Sequence, residues 1–76
     1  MTNEKKLRKK IAESGYKLQF IAKKLGITYQ GLLKKLRNES EFKASEIQIL
    51  TCLLNLQGNE RDDIFFADNV DKMPTL

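Results

Sequence analysis

The feature that most constrains this chain is a glycine with an apolar helical stripe on each side. Ahead of Gly26, residues Leu18, Ile21, Ala22 and Leu25 recur at i, i+3, i+4 and i+7, the spacing of one helix face. Behind it, Leu32 and Leu36 recur at i and i+4. Glycine has no Cβ, so Gly26 can take the left-handed conformation that ends a helix. Thr28 then stands where a side-chain oxygen caps the next one. The stretch IAKKLGITYQGLLKKL, Ile21 to Leu36, contains no acid.

The rest of the chain repeats the helical period and lacks strand alternation, so an all-α fold is expected. Thr2 or Asn3 can cap a first helix through about Ser14, with Leu7, Ile11 and Ala12 inward and Gly15 ending it. The second and third helices span Leu18–Leu25 and Tyr29–Arg37. The polar loop RNESEFK leads to a fourth, where Ser45 and Gln48 have capping-box spacing. That helix carries two apolar stripes, Ile47/Leu50/Leu54 and Ile49/Leu53/Leu56, before Gly58 and Asn59 stop it. A short fifth helix runs from Glu60 to Phe66. The expected domain is 1–66, followed by a flexible polar tail, 67–76.

Composition removes whole classes of function. The 76 residues include no histidine and one cysteine, Cys52. A disulfide framework, a cysteine-based zinc site and any Ser/His or Cys/His nucleophile are therefore excluded. No carboxylate pair marks a cleft and no glycine loop could cradle phosphate, so neither an enzyme, a cofactor nor a metal is expected. Cys52, inside LTCLLNL, reads as a small buried hydrophobe. Met1 to Lys10 is charged with no apolar run behind it, and no stretch reaches the roughly 18 apolar residues of a membrane span. A soluble cytoplasmic domain without membrane contact is expected.

Charge is segregated along the chain. Met1 to Lys43 holds twelve lysines and arginines against four acids, whereas Ala44 to Leu76 holds two against six. One half is suited to a polyanion and the other is not.

Helix, three-residue turn (Gly26-Ile27-Thr28), helix is the spacing of a helix-turn-helix that places its second helix in the DNA major groove. Ala22 is small where the helix axes would cross, and Ile27 closes the core under the turn. At about 100° per residue, Leu32 and Leu36 point together while Gln30, Lys34 and Arg37 point away. Gln30 can read adenine bidentately, and Lys34 can donate to guanine or to phosphate. Tyr29 joins them as a base-reading residue, at an angle that also fits the core. Leu33 fits the core or a thymine methyl. Thr28 can meet a phosphate at the helix N-terminus while capping. Lys17, Gln19, Lys23, Lys24, Lys35, Asn38 and Lys43 flank this face as backbone contacts; for any one lysine, solvated surface is the competing role.

Across Leu7 to Phe66, with IAKKLGITYQGLLKKL followed by SEF and SEI, the chain resembles the phage repressor and Cro-like helix-turn-helix family. The resemblance implies a five-helix lambda-repressor-like domain that binds a double-stranded DNA operator and regulates transcription in a phage or prophage switch. It departs at Leu18, where many relatives have glutamine, at Lys35, where an apolar residue is frequent, and at Glu39, where glycine is frequent. A homodimer is expected, because one recognition helix reads few base pairs. Its interface would use Ile49, Leu53, Leu56, Phe65 and Phe66, unless those residues complete the small core. The alternative is an antirepressor that uses the same domain to bind a partner phage repressor. Leu18, Glu39 and the acidic C-terminal half favour it.

Overall fold

Asn3 accepts a hydrogen bond from the Lys6 N–H at 3.1 Å and starts α1, Glu4–Ser14, which Gly15 ends at φ +80°. The computed structural model describes residues 1–66. Leu7 and Ile11 of α1 are buried. Ala12, expected inside, is exposed, because it lies 100° past Ile11 on the solvent side of the stripe. Helix α2, Leu18–Leu25, buries Ile21, Ala22 and Leu25 and stops at Gly26, φ +74°. The Ile27 N–H reaches the Ala22 carbonyl at 3.0 Å and the Gly26 N–H reaches Lys23 at 3.1 Å, the double closure of a Schellman motif.

Thr28 opens α3, Tyr29–Leu36, by accepting from the Gly31 N–H at 3.0 Å. Its far end repeats the Schellman pattern with Asn38 as the left-handed residue, φ +64°, and Glu39 N–H on the Lys34 carbonyl at 2.9 Å. Helix α4, Ala44–Leu53, starts earlier than the Ser45/Gln48 spacing suggests. Glu46 is the residue that reaches back, accepting from the Lys43 N–H at 2.8 Å. It also ends earlier than Gly58, because Asn55 takes φ +54° and Leu56 N–H closes on the Thr51 carbonyl at 2.9 Å. Leu56 is therefore outside the helix, and the second stripe is broken after Leu53. Helix α5 is Glu60–Phe65.

The described residues contain these five helices and no strand. Helix α2 packs on α3 and α4, and α1 packs on α3 and α5. Leu7, Ile21, Leu32, Leu36, Leu50 and Ile64 form the fully buried centre. Phe42 and Phe65 meet edge to face at 5.5 Å between centroids, a favourable aromatic geometry. Cys52 is exposed, contrary to its reading as core, since α4 turns Leu50 and Leu54 inward instead. The expected tail, 67–76, lies outside the described residues. None of the described helices is long and apolar enough to cross a membrane.

Candidate nucleic-acid interface

The tight turn after Gly26 lays α3 across α2 and decides which side chains face out. Leu32 and Leu36 are buried, and Leu33 packs partly against the same core. Tyr29, Gln30 and Lys34 are exposed on the other side. Tyr29, whose angle also fitted the core, is 40 % exposed, so its phenol belongs to the outward group. Gly31 lies between them, where a Cβ would come within 3.1 Å of Thr28 Oγ1. Glycine there leaves room for the capping hydroxyl, and Thr28 keeps its O–H proton to donate to an oxygen outside the protein.

Lys17, Gln19, Lys23 and Lys24 of the α2 region and Lys43 ahead of α4 are all exposed. No carboxylate occurs between Glu13 and Glu39. Glu39, the acid nearest in sequence to the end of α3, lies 3.3 Å from Arg37 in an exposed ion pair. Charged side chains within α3 itself are therefore lysines alone, Lys34 and Lys35.

Two expected backbone contacts are committed elsewhere. Lys35 is buried, and its Nζ lies 2.6 Å from Glu46 Oε1 and 3.3 Å from the Glu41 carbonyl. It also sits 5.9 Å from the Phe42 ring centroid. Its charge is spent inside the fold. Burial is the largest influence on the Glu46 carboxyl and pushes its pKa up. Hydrogen bonds from Lys35 and the Lys43 N–H, with the charges of both lysines, outweigh it and hold the pKa below the ordinary 4.5. The Asn38 amide is likewise occupied, accepting from the Thr2 N–H and donating to the Thr2 carbonyl, each at 2.9 Å.

The expected interface residues also separate. Phe65 is buried against Phe42 and belongs to the core. Leu53 and Leu56 are half-buried against that core. Ile49 and Phe66 remain exposed.

Sequence reasoning missed an aromatic pair beside α2: Tyr16 and Phe20 stack at 5.0 Å, and Lys24 Nζ lies 5.4 Å from the Phe20 ring centroid. Their i, i+4, i+8 spacing was the available signal. Compared with protein-family models, curated proteins and solved structures, the chain matches none.

Proposed function

We propose that this chain is a sequence-specific double-stranded DNA-binding regulator of transcription, of the phage or prophage-switch kind that its resemblance implies. The observation that carries the reading is the acid-free outward face of α3. Gln30, Lys34 and Tyr29 are exposed there together, while Leu32 and Leu36 hold the opposite face in the core. A helix so held can enter the major groove without unpacking, and its amide and ammonium are the groups that read adenine and guanine edges. Lys17, Gln19, Lys23, Thr28 and Lys43 would fix the register on phosphates. Bound at a promoter, the domain would exclude or stabilise polymerase.

Recognition by one such helix covers few base pairs, so two copies on half-sites about 34 Å apart would supply the specificity of an operator. Ile49 and Phe66 are the part of the expected dimer surface that the core has not taken, and Phe66 lines a hollow with Ile47 and Phe42.

Selection from randomised duplexes, followed by salt titration on the enriched sequence, tests the reading. An enriched motif and a fall in log affinity of about 0.9 per phosphate contact for each decade of salt are expected. A selection that enriches nothing would favour the partner-repressor reading.

A further inference from the structure

Beyond the DNA face, α2 and α4 enclose a surface that α3 does not use. Lys24, Gln48, Ile49, Cys52 and Leu53 line a shallow groove between the two helices. Lys24 joins it to the stacked Tyr16–Phe20 pair, because its Nζ lies 5.4 Å from the Phe20 ring centroid. Tyr16, Phe20 and Ile49 are 40, 39 and 38 % exposed, large apolar side chains left partly open to water.

Charge says what kind of cover. Although 32 % of the chain is charged, the exposed residues of α4 are Ala44, Ser45, Gln48, Ile49 and Cys52, with no charge among them. The helix's one acid, Glu46, is buried on Lys35. Depletion of charge around an apolar centre is the composition of an interface core. The groove's own charge is the Lys24 ammonium, and α2 adds Lys23 with no acid.

We infer that the α2–α4 groove docks an acidic amphipathic helix of a partner protein. Apolar side chains of that helix would cover Phe20, Ile49 and Leu53, and a carboxylate would meet Lys24. Helix-in-groove binding with anchors one turn apart matches the Ile49/Leu53 spacing. A second copy of this chain fits less well, since its own α2–α4 face brings no exposed carboxylate to Lys24. Lys24 thereby moves from the expected phosphate contacts to the partner groove. Recruitment of a partner through α2–α4 leaves α3 free, so one domain can hold DNA and an acidic helix together.

The test is a selection from a display library of single helices, randomised on all faces, against the full chain. Enriched helices should combine an apolar i, i+4, i+7 stripe with flanking Asp or Glu. In fluorescence anisotropy, Phe20→Ala and Ile49→Ser should each weaken the winning peptide about tenfold or more, as for central anchors. Lys24→Glu should turn the selection from acidic to basic helices. Gln30→Ala should leave peptide binding intact, and Ile49→Ser should leave binding to a single DNA half-site intact, so the two readings fail separately. Winners without acidic bias, winners indifferent to Phe20 and Ile49, or no winners at all would overturn the inference. So would self-association in sedimentation that Ile49→Ser abolishes, which would assign the groove to a second copy.

Discussion

Replacing Lys35 by methionine isolates a contact that ties the end of α3 to the start of α4. In the native fold the Lys35 ammonium is 2.6 Å from a Glu46 oxygen, with side-chain exposures of 10 and 5 %. Methionine keeps the length and the contact with Phe42 but strands the carboxylate, whose remaining bond is the Lys43 N–H at 2.8 Å. Breaking a buried pair from one side costs about 3–5 kcal/mol, and the surviving bond points to the lower end, about 3. Adding Glu46→Gln removes the stranded charge while its amide oxygen still accepts from Lys43. The double variant should therefore return to within about 1 kcal/mol of wild type, as buried pairs replaced by neutral groups commonly do. Urea unfolding followed by circular dichroism reads both values. Acid gives an independent check. The native Glu46 pKa is lowered, so its contribution is complete above the ordinary value of 4.5 and is lost as pH falls through the lower folded value. Without Lys35, burial is left as the main influence and the carboxyl should protonate earlier, so the Lys35→Met penalty should shrink with acid. A penalty under about 0.5 kcal/mol at neutral pH, or one unchanged in acid, would refute the reasoning, since a surface lysine behaves that way.

Leu32→Ala should cost about 2–5 kcal/mol in the same unfolding assay, because a side chain 1 % exposed leaves a cavity behind. Gly26→Ala should cost about 1–2 kcal/mol from backbone strain alone, since φ is +74° and nothing lies within 4 Å of the added Cβ. Gln30→Ala and Lys34→Ala should each leave stability within about 0.5 kcal/mol and lose about 1–3 kcal/mol at the selected operator, measured by electrophoretic shift or anisotropy. Lys23→Ala should weaken all duplexes alike and flatten the salt slope by about one contact's share.

Most of the helical frame could be read from residues whose effect is local. Asn3, Thr28, Gly15 and Gly26 cap or end helices through bonds to neighbours three or four residues away. Features that depend on distant partners, or on a residue that does not announce its conformation, were not legible. The end of α4 is set by Asn55 in a left-handed conformation, which asparagine tolerates but does not announce as glycine does. Cys52 sits in an apolar run, yet only packing decides which side of α4 the other helices cover. Asn38 looks like a phosphate contact until Thr2, 36 residues away, occupies both ends of its amide. Phe42 lies in a polar loop with no periodic neighbour, so its burial has no sequence signal.

Lys34 and Lys35 show how fine this division is. They are adjacent in a basic run, and composition assigns both to a polyanion. A step of about 100° around α3 separates them, and that step puts Lys34 in solvent and Lys35 on Glu46. The inward lysine neutralises Glu46, whose carboxylate accepts the Lys43 N–H at the start of α4, and so ties the end of α3 to the next helix. It also removes from the surface a carboxylate that would otherwise repel phosphate on either side of the α3–α4 loop. Under the proposed function, a loss of operator affinity in Lys35→Met that the added Glu46→Gln restores would mark Lys35 as a positioning residue. Affinity that stays lost in the double variant would instead mean that Lys35 reaches the phosphates itself.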